Sequence, residues 1–369
     1  MLHNLKMFIK KEYVFCISFV LAVATMFFVP PDSEYIHYID FRVLCLLFCL
    51  MAVVEGFKSV GVFGFLTDHL LKKVNSARAL GITLVMLPFF VSMLVTNDVA
   101  LIVFVPFTIA LLSDTGLKKS IVPVIGFQTV AANLGSMATP VGNPQNLFLY
   151  STYKLDAAQF FTAILPVVAV SMVGLILSSC FLIKGEITKQ NLTKVNISSR
   201  KKLFIYALLF LLCFLTVFRV VSYIPVTLFV IAIFFIIDRK IFKDIDFMLL
   251  ATFVCFFVIS ENLGRIESVR AFLDGVVGNN VLLTSIGTSQ IISNVPAAVL
   301  LSGFTKDWET LLAGVNIGGL GTPVASLASL ITLKLYMKSE GASILKFLSV
   351  FTIVNVVFLA LFIVFYVFI

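Results

Sequence analysis

Three polar residues, Thr96-Asn97-Asp98, interrupt an apolar run that is otherwise nearly continuous from Ala79 to Leu112. Each flank is shorter than the roughly 20 residues that a membrane span requires. The pattern therefore predicts a helix, a polar tip and a returning helix over 79–113. Irregular backbone inside a bilayer is tolerated only where protein or a water-filled cavity surrounds it. An ionisable group at that depth, here Asp98, marks a candidate functional site.

The same reading along the chain predicts spans at 13–29, 42–66, 160–183, 203–218, 223–237, 246–264 and 346–369. A span starting at Ser120 breaks over Asn133–Asn146 and resumes to about Tyr150. A second apolar hairpin is expected at 276–303 with Ser293-Asn294 at its tip. A second broken span follows at 310–335, interrupted over Asn316–Pro323. The expected architecture is an all-α polytopic membrane protein with about nine crossings, two re-entrant hairpins and two broken helices.

The two halves match one another. Asp40, Phe41, Leu44, Cys49 and Glu55 recur 206 positions later as Asp246, Phe247, Leu250, Cys255 and Glu261. Ser92, Asn97 and Ala100 recur 197 positions later as Ser289, Asn294 and Ala297. Asn133, Gly135, Thr139, Pro140 and Val141 recur 183 positions later as Asn316, Gly318, Thr322, Pro323 and Val324. Five predicted crossings separate equivalent points, an odd number, so the copies should be inverted. The expected division is 1–183 as the first repeat, 184–218 as a basic loop and linker helix, and 219–369 as the second. Inverted repeats with broken helices are the plan of secondary transporters, whose sites lie between the copies near mid-membrane.

Composition narrows the class. The chain of 369 residues is 60% hydrophobic and 12% charged, with mean hydropathy +1.10. A soluble domain carries roughly 25% charged residues. The net charge of +8 does not point to nucleic acid, because the Lys and Arg residues cluster in short loops between apolar runs. Threading the crossings with the N-terminus in the cytoplasm and the C-terminus outside puts 20 of the 27 basic residues on the cytoplasmic side, as the positive-inside bias requires. A bacterial plasma membrane is the expected location. The cysteines at 16, 45, 49, 180, 213 and 255 fall in predicted spans without a CxxC, and His3, His37 and His69 in terminal or loop positions. No GxxxxGK[ST], HExxH or paired catalytic aspartates appear, so neither an ATP-driven pump nor an intramembrane enzyme is expected, and no cofactor.

Hairpin tips and helix breaks free backbone N–H and C=O groups, the first suited to an anion and the second to a cation. The candidate solute-binding set is therefore Thr96, Asn97, Asp98, Thr139, Pro140, Asn143, Ser293, Asn294, Thr322 and Pro323. Asp98 has Val295 as its repeat counterpart. It reads either as a cation ligand or proton carrier, or as a helix cap. Glu55 and Glu261 read either as tethers or proton shuttles, or as interfacial partners of Lys58 and Arg265.

The segments TNDVALIVFVP, ANLGSMATPVGNPQNLFLY, SQIISNVPAAVLLS and GVNIGGLGTPVASLASLITLKLY resemble the ion transporter superfamily of secondary carriers. The nearest branches are the citrate-transporter-like, divalent anion–sodium symporter and arsenite-permease/sodium–proton antiporter groups. The resemblance implies a homodimer, elevator-type movement of a domain carrying both hairpins, and Na⁺ or H⁺ as coupling ion. It also implies cation sites where each tip meets its break, one around Asn97 with Gly135 and one around Asn294 with Gly318. Asp98, Asn133 and Asn316 complete the candidate coupling-site set. Dicarboxylate symporters of the superfamily carry Ser-Asn-Thr at both tips, whereas this chain reads Thr-Asn-Asp and Ser-Asn-Val. The Asn-Asp pair is nearer the arsenite-permease branch and GNPQN nearer the citrate-like one. The expected function is cation-coupled transport of a small anionic solute. Sodium–proton antiport or arsenite efflux is the alternative, and a channel the competing class.

Overall fold

The computed structural model describes residues 8, 12–71, 74, 76–183 and 196–367. Much of the basic loop predicted at 184–202 lies outside the described residues, as do His3, Lys6, Lys10, Lys11, Lys72 and Lys73. Among the described residues every regular element is helical: α1 (Tyr13–Met26), α2 (Tyr35–Tyr38), α3 (Phe41–Ser59), α4 (Val62–Leu71), α5 (Ala77–Val91), α6 (Asn97–Asp114), α7 (Ile121–Ser136), α8 (Pro144–Thr152) and α9 (Ala157–Ser179). The second half continues with α10 (Arg200–Val217), α11 (Tyr223–Ile237), α12 (Phe247–Arg265), α13 (Glu267–Asn279), α14 (Val281–Ile292), α15 (Asn294–Ser302), α16 (Trp308–Ile317), α17 (Leu327–Tyr336) and α18 (Ile344–Val367). Two short 3₁₀ turns, Lys118–Ser120 and Arg239–Lys243, complete the set.

Most predicted elements fall within a few residues of their expected places, and the differences have local causes. The predicted span 42–66 is two helices, α3 and α4, meeting at 58°. Gly61, at φ +83, adopts there a backbone conformation open mainly to glycine. The second hairpin starts at Val281 rather than 276, because α13 runs on to Asn279 and the Asn280 side chain then caps α14. The first break is confined to 137–143, since Asn133 is still helical and Pro144 opens α8. Proline suits a first helical position, where its missing N–H has no helical partner to lose. The second break extends past Pro323 to Ser326. His37 and His69 lie on α2 and α4 rather than in loops.

Four described helices, α6, α9, α12 and α18, are individually long and apolar enough to cross a membrane, or five if α3 and α4 form one bent span. The other apolar helices are shorter: α1 and α11, and arms of the hairpins and broken pairs such as α5, α14 and α17. Outward faces are rich in exposed apolar side chains, among them Phe27, Phe181, Ile236 and Leu345. Such a surface is stable against lipid but not against water.

Packing pairs the elements reciprocally. Within each half the hairpin lies on the first arm of its own broken helix, α5 and α6 on α7, and α14 and α15 on α16. Between halves, α17 packs on α6 and α8 packs on α15. Likewise α1 lies on α12 and α11 on α3, while α18 lies on α7 and α9 on α16. Each second arm is thus laid against the hairpin of the opposite half, which brings both tips and both breaks to one place.

Candidate functional site

The meeting place is built on five asparagines. Asn97 begins α6 and is 5% exposed. Its Nδ2 donates to Asn133 Oδ1 at 2.9 Å, while its own Oδ1 accepts the Asp98 N–H at 3.0 Å. Asn133, in the last turn of α7, also accepts from Ser326 Oγ (3.1 Å) and donates to the Gly319 carbonyl (3.3 Å). One side chain therefore joins the first tip to the second break. Across the pseudo-symmetric arrangement, Asn143 caps α8 by accepting the Asn146 N–H at 2.9 Å and donates to Asn316 Oδ1 at 3.0 Å. Asn316 donates in turn to Asn146 Oδ1 at 2.6 Å. Ser326, at the cap position of α17, is the 183-residue counterpart of Asn143. Each cap thus reaches the asparagine that ends the first arm of the other half. All these groups are buried, where an unpaired polar atom would cost about 1–3 kcal/mol.

At the second tip Ser293 holds φ +77, unusual for a non-glycine residue. The strain lets the Asn294 N–H reach the Ala325 carbonyl in the second break at 2.9 Å. Such outliers persist only where the surroundings fix them, and cluster at functional sites. Gln290 ties the same break: its Nε2 donates to the Gly318 and Leu320 carbonyls at 2.8 Å each, and its Oε1 accepts the Thr322 N–H at 2.8 Å. Thr139 and Thr322 hold equivalent places, their hydroxyls donating to the Met93 and Gln290 carbonyls.

The structure adds contacts around the sequence-derived pairs. Asn97 bonds the side chain of Asn133, two residues before Gly135. A Cβ on Gly135 would lie 2.1 Å from the Phe89 carbonyl oxygen and 2.7 Å from Ser92 Oγ, so this glycine permits α7 to approach α5. Gly318 does the same against Ser289 Oγ at 2.7 Å, and it is Gly319 that abuts Asn294 Nδ2, also at 2.7 Å. Thr96, not Asp98, occupies the cap position of α6. Pro140 is buried beside its threonine, whereas Thr322 is exposed and Pro323 half-buried at the edge of the cluster. Glu55 is paired with Lys58 at 3.0 Å. Glu261 does not pair with Arg265, which binds Asp32 at 2.8 Å instead. Neither glutamate touches the tips.

Asp98 is half-buried and faces a cavity of about 170 Å³ that Ser293, Val295 and Pro296 of the second tip also line. The far walls carry Asp246 of α12 and Lys334 of α17. Glu261 belongs to a different cavity, of about 330 Å³, shared with His37, Asp40, Ser260 and Ser302. Among the described residues no group of three or more His, Cys, Asp or Glu side chains is disposed to hold a metal. Apart from the Asp98 carboxylate, the oxygens gathered at the tips are amide, hydroxyl and backbone carbonyl oxygens, neutral donors of the kind that suit a hard monovalent cation.

Sequence reasoning missed Gln290 and Ser326. Ser326 was within reach: the 183-residue displacement carries Asn143 onto it. Gln290 had no such signal, since its counterpart is Met93.

The citrate transporter family matches residues 7–306, which takes in the first tip, the first break and the second tip. An uncharacterized transporter of Methanocaldococcus jannaschii, MJ0456, is 36% identical over 307 residues, covering 82% of this chain and 83% of its own. The Escherichia coli inner membrane protein YbiR is 30% identical over 332 residues, 87% of both chains. A shorter match, 32% identical over 144 residues and 29% of the relative's length, is to the silicon efflux transporter LSI3 of Oryza sativa subsp. japonica. MJ0456 and LSI3 are named as transporters, and the chain, an integral membrane protein with its polar groups gathered between apolar helices, belongs to the citrate transporter family.

Proposed function

We propose that the protein is a cation-coupled secondary transporter, driven by Na⁺ or H⁺, of a small anionic solute such as a di- or tricarboxylate or an inorganic anion. The observation that carries this reading is the convergence of both tips and both breaks. The chains Asn97–Asn133–Ser326 and Asn143–Asn316–Asn146 link the two halves through side chains alone. These bonds make both tips and both breaks one body, so an ion or solute held among them travels with that body when it shifts against the remaining helices. The reciprocal packing supports two inverted copies. In that reading the cation sites flank Asn97 with Asn133 and Asn294 with Gly319, and the solute takes the cavity between Asp98 and Ser293. Alternating access proceeds by movement of the hairpin-bearing part, with the N-terminus cytoplasmic, in a homodimer.

Asp98 supports a second reading. A carboxylate facing the cavity suits proton exchange, and so sodium–proton antiport or efflux of a metalloid oxyacid. Uptake into proteoliposomes under an imposed Na⁺ or H⁺ gradient separates the two. With citrate, succinate, phosphate, sulfate and arsenite offered, gradient-driven entry of an anion that Asn97→Ala abolishes is the expected result. Cation exchange or arsenite movement alone, lost in Asp98→Asn, would establish the second reading. A sustained conductance independent of any gradient coupling would replace both by a channel.

A further inference from the structure

The polar contacts continue beyond the tips along the line where α7 and α17 pack. The two helices run antiparallel there. Ser326 Oγ, at the start of α17, donates to Asn133 Oδ1 at 3.1 Å, and further along Thr332 Oγ1 accepts from Thr129 Oγ1 at 2.8 Å. Ser329 stands midway between these crossings. At 3.6 residues per turn, positions 326, 329 and 332 step round the helix by about 60° each, so Ser329 lies between the two bonded hydroxyls on the α17 surface. On α7 the same interval holds Val130, Ala131 and Ala132, none with a polar side chain. Ser329 is 0% exposed, and its Oγ has no hydrogen-bond partner among the described residues.

The cause is local. A serine or threonine inside a helix ordinarily donates to the carbonyl four residues back, as Thr332 does to Ala328 at 3.2 Å. For Ser329 that carbonyl belongs to Ala325, and the second tip has taken it. It accepts the Asn294 N–H at 2.9 Å and Ser293 Oγ at 3.4 Å, which engages both lone pairs. The flanking hydroxyls spend their protons elsewhere, Ser326 on Asn133 and Thr332 on Ala328. Toward Ser329 each can offer only oxygen lone pairs.

We propose that the interval between the two crossings is a binding site for one small hard ligand, a monovalent cation or a water molecule, held by the hydroxyl oxygens of Ser326, Ser329 and Thr332. Side chains three apart on a helix stand about 5–6 Å from one another, a gap that one such ligand bridges. Buried water takes this role where polar groups are otherwise unsatisfied, and hard cations take oxygen ligands of the same kind. A buried hydroxyl left alone destabilises the fold, and the ligand removes that penalty. The site is separate from the cation sites flanking Asn97 and Asn294. It lies one turn from both ties, since Ser326 holds the first tip through Asn133 and Ala325 holds the second through Asn294. Its occupant therefore steadies both tips together. The inference rests on these hydrogen bonds and not on the transport reading.

The sign of one substitution tests it. Without a ligand, Ser329→Ala deletes an unpaired buried hydroxyl and adds a better helix former, so the variant should melt at or above wild type. With a ligand, it should melt a few degrees lower. Ser329→Cys, which keeps the volume but binds hydrogen only weakly, should fall between the two. Ser171→Ala, whose hydroxyl only bonds back to Val167 on α9, serves as the control near wild type. Melts in detergent are run in NaCl and in choline chloride at equal ionic strength. A deficit of Ser329→Ala confined to NaCl identifies Na⁺ as the occupant, and an equal deficit in both salts identifies water. Melting of Ser329→Ala at or above wild type in both salts overturns the proposal. If that variant yields no folded protein, Ser329→Cys decides by the same criterion. A failed uptake assay leaves these outcomes interpretable, since the melts need no solute.

Discussion

The two hairpin-and-break units share a backbone plan and differ in what holds it. In the first, the break is tied by its own residues: Asn143 caps α8, and Asn146 donates to the Met137 and Thr139 carbonyls at 3.1 and 3.2 Å. In the second, the hairpin supplies the tie, through the Gln290 side chain and the strained Ser293. The first tip adds a carboxylate, Asp98, where the second has Val295. The first unit is thus held from within and carries the charge, and the second is neutral and held by its hairpin. The two units share a backbone plan while each satisfies its orphaned carbonyls with different side chains.

The largest effect expected from this comparison is at the close approaches. Gly135→Ala drives a Cβ to 2.1 Å from a backbone oxygen, with the Phe89 carbonyl carbon at 2.7 Å. Overpacking of this kind costs about 1–3 kcal/mol and occasionally more, and here the obstacle cannot rotate away. At Gly318 the nearest atom is the Ser289 hydroxyl at 2.7 Å, though the Gly314 carbonyl follows at 2.8 Å. Gly135→Ala should therefore lower the melting temperature in detergent more than Gly318→Ala. Gly126→Ala, with nothing within 4 Å, should leave it near wild type. Equal losses at 135 and 318 would mean that the two units are held alike.

A smaller effect is expected at Gln290. Replacing it by Met, its counterpart in the first unit, removes the donors to the Gly318 and Leu320 carbonyls and the acceptor for the Thr322 N–H. Each group left buried without a partner costs about 1–3 kcal/mol, but Thr322 is exposed and water can replace that bond. Gln290→Met should reduce stability by about 1–3 kcal/mol in equilibrium unfolding and increase amide exchange across 318–326. The converse change, Met93→Gln, should not loosen the first break, because that break depends on Asn143 and Asn146. Faster exchange over 137–143 in Met93→Gln would contradict the assignment.

What the sequence disclosed follows the same division. Hairpin tips, helix breaks and the recurrence of Asn133 and Asn316 were legible because polar residues stand out in apolar runs and because the copies kept them. Partners were less legible. The hydrogen bond from Asn97 to Asn133 had no signal of its own, because matching positions show which residues recur and not which of them bond. The bend at Gly61 was hidden because apolarity runs through it unchanged, and hydropathy carries no signal for a backbone angle. Gln290 escaped because a repeat-based reading finds only what both copies share. Arg265 was one of two readings for Glu261, as its partner four residues on along the same helix, and it reaches instead Asp32 in a loop that linear spacing cannot place.

The smallest effect concerns that loop and serves as a control on the site. Asp32 and Arg265 form an exposed ion pair at 2.8 Å, far along the chain from either tip. The hydrogen bond from Arg265 holds the Asp32 carboxyl below its usual range, with the Glu34 N–H contributing in the same direction. A carboxyl depressed in the folded state adds stability above its unfolded value, about 3.9, and loses it as pH falls through the folded one. The contribution is therefore constant at neutral pH and disappears only below about pH 4. Exposed pairs are strongly screened, so Arg265→Gln should barely change the melting temperature at pH 7, and less still in high salt. Amide exchange over 137–143 and 318–326 should be unaffected by it as well. A clear change in that exchange would show that the loop joining α1 to α3 communicates with the breaks, and that the charged unit is less self-contained than its bonding indicates.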